Sequence, residues 1–142
     1  MMIYDNINWL AIANQLKKVK VKYMIKVFYD SRTGLGKKFA EKLPFSSHNI
    51  TETPDAPCIL VTRNIGLGQI PKSTKNFLDQ YKDLVKGVVV NGNKRFGKFY
   101  CGASPKIEKS YHVPIIRNIE EEGNKEDVQA VVEYIRKLEK QN

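Results

Sequence analysis

Histidine, cysteine and tryptophan are scarce in this chain: two, two and one in 142 residues. His48 and His112 are isolated, and a zinc site wants three or four clustered ligands, so no metal centre is expected. Cys58 and Cys101 show neither CxxC nor metal-ligand spacing, and they read as two reduced thiols in a cytoplasmic protein. No apolar run approaches the roughly 20 residues a membrane helix needs. The opening segment MMIYDNINWL lacks a basic start, an apolar stretch and a small-residue cleavage site, so no signal peptide is expected. There is no Ser-His-Asp set and no Walker-type Gly-Lys-Ser/Thr, which argues against hydrolase and kinase chemistry. Asp30 and Arg32 can form a local pair but not an acid–base dyad. Any chemistry would have to be carried by a cofactor.

Hydrophobic residues make up 42% of the chain, enough for one core in one domain of this length. The net charge of +9 suggests attraction toward an acidic partner. Lys17, Lys18, Lys20 and Lys22 form the one dense basic cluster. Elsewhere the positive charge is interleaved with Asp and Glu, so a solvated surface is favoured over a nucleic-acid footprint.

Regular patterning begins at Ile25. Residues 25–29 read as a short strand, 37–43 as a helix stopped near Pro44, and 49–51 as a weak second strand. Pro57 to Thr62 is apolar almost throughout, as expected of a strand covered on both faces. Pro71 suits the first turn of a helix running to about Tyr81, with Phe77 and Leu78 inward. Gly87 to Val90 is another buried strand, 103–111 a helix, and Val113 to Ile116 the last strand. A final helix over about 125–139 puts Val128, Val131, Val132, Ile135 and Leu138 on one stripe.

Strands alternating with helices imply a parallel sheet with helices on both faces. Five strands in this length fit the flavodoxin-like order 2-1-3-4-5. The predicted domain covers 24–142. Residues 1–23 form a basic extension, expected to be poorly ordered; an amphipathic helix through Ile3, Ile7, Leu10 and Leu16 is the other reading.

In such a sheet, ligands bind outside the carboxyl ends of the strands, where the strand order switches. Three loops leave that edge. The first, Asp30 to Gly36, carries Ser31, Thr33, Gly34 and Gly36 at the start of a helix, a composition suited to cradling phosphate. The second, Arg63 to Pro71, carries Gly66 and Gly68, which can take positive φ beside a flavin N5. The third, Asn91 to Gly97, offers Asn91, Gly92 and Asn93 to a pyrimidine edge and Phe96 to a ring face. Each loop alone is also explained by ordinary turn chemistry, since Asn and Gly dominate turns. The arrangement of three at one edge is what favours a flavin nucleotide.

These residues resemble a known family. Phe28-Tyr29-Asp30-Ser31-Arg32-Thr33-Gly34 is similar to the phosphate loop of NrdI proteins, and Leu60-Val61-Thr62 with Gly66-Leu67-Gly68-Gln69-Ile70-Pro71 to their second flavin loop. Gly87 through Gly97, ending Asn91-Gly92-Asn93-Lys94-Arg95-Phe96-Gly97, resembles their third loop and is the most specific of the three. Tyr111 to Ile115 and Asn124 to Val128 resemble the last strand and the start of the last helix. The likeness runs from about Met24 to Leu138.

The resemblance implies noncovalent FMN binding and service to class Ib ribonucleotide reductase. In that family the reduced flavin reacts with dioxygen and supplies an oxidant to the dimanganese small subunit, NrdF, which then forms its tyrosyl radical. An electron donor of the flavodoxin reductase type is implied as a further partner. By position, Ser31, Arg32, Thr33, Gly34 and Leu35 would hold phosphate. Gly66, Leu67 and Gly68 would lie at the ring's N5 side, Thr62 would be a further cofactor-binding residue, and Asn91, Gly92, Asn93, Phe96 and Gly97 would flank the ring. The chain departs from the pattern at Leu35, where the family usually has Asn, and at Lys98, where Asp is common; the extension has no counterpart. A general electron-transfer flavodoxin is the alternative, although such proteins are usually acidic. A flavin-free basic interaction module is the second alternative.

Overall fold

The computed structural model describes residues 25–141. Five strands form one parallel sheet: β1 (Lys26–Tyr29), β2 (Ser47–Asn49), β3 (Cys58–Arg63), β4 (Val85–Gly92) and β5 (Ile115–Glu120), in the order β2-β1-β3-β4-β5. Among the described residues three helices connect strands, α1 (Leu35–Lys42), α2 (Lys72–Tyr81) and α3 (Ala103–Tyr111), and a fourth, α4 (Lys125–Lys140), follows β5. A 3-10 turn, Lys94–Phe99, lies between β4 and α3. This is the expected flavodoxin-like topology. The expected extension, including Lys17, Lys18, Lys20 and Lys22, lies outside the described residues.

The central strands explain the layering. Strand side chains alternate between faces, so β3 sends Leu60 one way and Ile59 and Val61 the other. Leu60 joins Phe28, Val88 and Val90 under Phe77, Leu78 and Ile107, the inner sides of α2 and α3. Ile59 and Val61 join Val27 and Val89 under Phe39 and Ala40 of α1 and Val131 and Ile135 of α4. Two cores on opposite faces leave β3 and β4 buried on both sides, which is why they read as continuous apolar runs. The α4 stripe is core, with Val128, Val132 and Leu138 packed half-buried around Val131 and Ile135. Asn124 and Asp127 start α4 with a reciprocal capping box, both bonds 2.9 Å.

Three strand boundaries correct the sequence reading, one of them at β4, which runs from Val85 to Gly92 and takes in Asn91 and Gly92, expected in the third loop. β2 ends at Asn49 instead of beginning there, because Asn49 turns the chain: its side-chain oxygen accepts from the Thr51 N–H and its carbonyl from the Glu52 N–H. β5 starts after Pro114 and continues to Glu120, four residues beyond the expected end. It is an edge strand, so its polar second half, Arg117, Asn118 and Glu120, carries no buried apolar run to read. No helix among the described residues is long and apolar enough to cross a membrane.

Candidate functional site

The strand order reverses between β1 and β3, which are hydrogen-bonded neighbours although β2 intervenes in sequence. All strands are parallel, so the loops after β1, β3 and β4 leave from one edge. They surround a cavity of about 340 Å³, a size within the usual range for small ligands.

The first loop is shaped by Ser31, whose Oγ accepts the Gly34 N–H at 3.1 Å. Gly34 then caps α1 from the left-handed region, with φ +90°. No side chain among the described residues caps α1, and its first turn carries no acidic residue. Its leading N–H groups therefore remain available to an anion at the positive end of the helix dipole. This loop contributes Arg32, Thr33 and Leu35 to the cavity wall.

The second loop is a miniature hairpin. Ile65 and Gln69 exchange backbone hydrogen bonds of 2.9 and 2.8 Å, leaving Gly66-Leu67-Gly68 at its tip. Gly66 and Gly68 both have positive φ, +51° and +83°, as expected. The wall takes Arg63, Asn64, Ile65 and Gly66 from this segment.

The third loop starts where Asn93 Oδ1 accepts the Arg95 N–H at 2.9 Å and opens the 3-10 turn. It supplies Asn91, Gly92, Asn93, Phe96 and Phe99 to the wall. Asn64 ties the second loop to the third: its Nδ2 donates to the Phe99 carbonyl (3.2 Å) and its Oδ1 accepts from the Ala103 N–H (2.9 Å). Asn91 is committed elsewhere, donating from Nδ2 to the Glu121 carbonyl at 3.1 Å. That bond brings the loop after β5 to the cavity, where Glu121 completes the wall.

Eight of the residues expected from the sequence thus line one cavity: Arg32, Thr33, Leu35, Gly66, Asn91, Gly92, Asn93 and Phe96. Six do not. Ser31 and Gly34 build the first loop from behind. Leu67 projects into solvent at the second tip, 62% exposed. Gly68 packs on Gly102, and its carbonyl accepts from Lys106 Nζ at 2.8 Å. Gly97 forms the kink in the 3-10 turn. Thr62 is fully buried, and its hydroxyl lies 2.5 Å from that of Thr74, on the core side of the sheet. The local pair expected between Asp30 and Arg32 is not made. Asp30 pairs instead with Arg63 across the strand gap, at 3.5 Å.

Arg63, Asn64, Ile65, Phe99 and Glu121 were not among the expected site residues. Arg63 is the last residue of β3, so its place on the binding edge was available from the strand boundary alone. Glu121 follows β5 directly and was hidden by the strand's polar second half. Lys98 lies over the Phe99 ring at 5.3 Å and does not line the cavity.

Neither cysteine is set up as a nucleophile here. Cys101 sits beneath Gly92, and its thiol donates to the Val90 carbonyl at 3.3 Å. Burial pushes it up to about 11, and Cys58 to about 12, so neither is a thiolate near neutral pH. No group of three or more His, Cys, Asp or Glu able to hold a metal occurs among the described residues. A larger cavity, about 730 Å³, runs along the free edge of β5 and shares Glu121, but it lies away from the switch point. The cavity at the switch point fits a ligand with an anionic end and a flat apolar body. Uncapped helix N–H groups and Arg32 meet the first requirement, and Ile65, Phe96 and Phe99 meet the second.

Comparison with known proteins bears on the family and the fold. The family model described as NrdI Flavodoxin like matches residues 27–133. The chain is 33% identical over 118 residues to Protein NrdI of Bacillus licheniformis, covering 81% of this chain and 90% of that protein. It is 32% identical over 120 residues to the SPbeta prophage-derived protein NrdI of Bacillus subtilis, covering 80% and 93%. Among solved structures, a short-chain flavodoxin associated with a PDU bacterial microcompartment superposes with a TM-score of 0.65 at 16% identity, covering 82% of this chain and 97% of that one. A Fusobacterium nucleatum flavodoxin bound to flavin mononucleotide gives 0.51 at 18% identity, covering 82% and 97%. At these identities the two structures speak to the fold.

Proposed function

The chain belongs to the NrdI flavodoxin-like family, and from that premise we propose that it binds FMN in the switch-point cavity and serves a class Ib ribonucleotide reductase as a redox accessory. The observation that carries this reading is the meeting of three loops around one cavity at the edge where the strand order reverses. The chemistry a flavin supplies when bound is electron transfer between a donor and an acceptor, dioxygen included.

The protein's part is to bind, orient and shield. The first loop and the leading N–H groups of α1 hold the phosphate, with Ser31 keeping the loop closed. Gly66 and its neighbours would border the N5 side and present backbone amide and carbonyl groups to it. Asn93 and Phe96 flank the ring, and Asn64 holds their loop against the second one. Thr62 acts from below, through Thr74 and Asp30. The partner on this reading is the dimanganese small subunit, NrdF, in the cytoplasm, and a flavodoxin reductase-type donor would supply electrons to this chain.

Two measurements test it. The purified chain is titrated with FMN and followed by flavin fluorescence, and saturable one-to-one quenching is expected. The FMN-loaded protein is then reduced and mixed with a dimanganese small subunit and oxygen. A tyrosyl radical signal in the electron paramagnetic resonance spectrum is the expected outcome. FMN binding with no radical would reduce the assignment to a general electron carrier, and no binding would remove the flavin reading altogether.

A further inference from the structure

Arg63 ends β3 and Asp30 directly follows β1, the two strands that flank the switch point. Their side chains bridge it, Arg63 Nη2 lying 3.5 Å from Asp30 Oδ1. Asp30 is only 7% exposed. Its Oδ2 accepts from Ser73 Oγ at 2.5 Å and from Thr74 Oγ1 at 2.6 Å. The carboxylate is thereby fixed to the start of α2, and it holds the guanidinium in turn.

Arg63 still has unused capacity. A guanidinium carries five N–H donors. Its Nε is buried and has no hydrogen-bond partner. The side chain is 21% exposed and lines the cavity. A buried donor without an acceptor is a cost that a ligand bearing acceptor oxygens would relieve. On the first loop Thr33 brings a hydroxyl to the wall, Leu35 has no donor, and the guanidinium of Arg32 is exposed. Of the charged side chains on the wall, Arg63 is the cation that is both anchored and partly desolvated.

We propose that Arg63 is an anion-recognition residue of this cavity, presenting its guanidinium to the phosphate of the bound flavin nucleotide, with Asp30 as its positioning residue. The planar fork of an arginine matches a phosphate with paired, charge-assisted N–H···O bonds, which a neutral amide cannot equal. This inference rests on the flavin reading above and adds which side chain distinguishes the phosphorylated flavin from the unphosphorylated one.

The test titrates FMN and riboflavin, which lacks the phosphate, against the wild-type chain and the variants Arg63→Gln, Arg63→Lys and Arg32→Gln. Arg63→Gln is expected to weaken FMN about tenfold or more and to leave riboflavin within about twofold. Arg63→Lys should recover part of the loss, since it keeps the charge but not the fork. Arg32→Gln should cost less than Arg63→Gln because its charge is solvated. Equal losses for both flavins, no loss for either, or a larger loss at Arg32 would overturn the proposal. Should Arg63→Gln fail to fold, the preference of the wild type for FMN over riboflavin must still shrink in Arg63→Lys; a preference that does not move overturns it equally. A wild-type chain that binds neither flavin removes the flavin reading and this inference together. One that binds both flavins alike removes the inference alone.

Discussion

Gly68 and Gly102 meet backbone to backbone: a Cβ on Gly102 would lie 2.9 Å from the Gly68 Cα, and a Cβ on Gly68 would lie 3.0 Å from the Gly102 Cα. This contact seats the second loop on the start of α3, and Lys106 locks it through the Gly68 carbonyl. Gly102 has φ −61° and ψ −18°, a conformation alanine adopts freely. Gly102→Ala therefore tests the space alone. The loop must move to admit the methyl group, at a cost of about 1–3 kcal/mol. Urea unfolding should show that loss, and FMN affinity should fall with it because Gly66 shifts on the cavity wall.

Phe96 offers the opposite case. It is 57% exposed and belongs to neither core. Phe96→Ala should leave stability within about 0.5 kcal/mol, as for most surface changes. If the ring stacks on the flavin, its removal costs roughly 1–3 kcal/mol of binding, by analogy with bases stacked on aromatic side chains. FMN and riboflavin should weaken together, by about tenfold. This is the pattern that separates a ring contact from the phosphate contact assigned to Arg63. A Phe96→Ala protein that binds both flavins normally would show that the side chain serves another purpose.

The fold was legible in the sequence because its central strands are buried on both faces and its helices carry one apolar stripe each. Those features force the period and the run lengths, as in Cys58–Arg63 and the Val131–Ile135 face. The edge strands were less legible for the same reason. β2 is three residues long and largely polar, and β5 loses its apolar character halfway. At the site, loop composition marked the loops that converge but not the job of each residue in them. Thr62 reads as a loop neighbour yet points into the core toward Thr74, since β3 alternates and Leu60 already marks that face. Asp30 found Arg63, 33 positions away in sequence, over Arg32 two positions away, because strand pairing and not sequence proximity decides which ends meet.

The Asp30 network should also carry stability. Asp30→Ala removes the acceptor of two buried or partly buried hydroxyls and the counter-ion of Arg63 at once. Breaking a buried pair by deleting one partner costs about 3–5 kcal/mol. Asp30→Asn keeps an acceptor for Ser73 or Thr74 and should cost less. Chemical denaturation of the three proteins at one pH gives the ordering directly. If Asp30→Ala were as stable as wild type, the network would contribute packing geometry and no net energy.

The buried thiols make the fold sensitive to alkali. Burial raises Cys58 from 9.0 to about 12 and Cys101 from 9.0 to about 11. Below pH 9 both thiols are protonated in the folded and the unfolded chain, so they impose no pH dependence there. Above it the unfolded chain releases these protons and the folded chain retains them. Stability therefore falls as pH rises from 9 through 11 to 12, at about 1.4 kcal/mol per pH unit for each thiol. Tyr111, raised from 10.0 to about 12 by burial and by its bond to Asp79, adds to the slope above pH 10. Urea midpoints measured at rising pH should stay level to about 9 and then decline. In Cys58→Ala the decline should be shallower by one thiol's share, although its absolute stability at neutral pH is lower because a fully buried side chain has been cut back. An unchanged slope in that variant would mean that Cys58 ionises as readily in the folded chain as in the unfolded one.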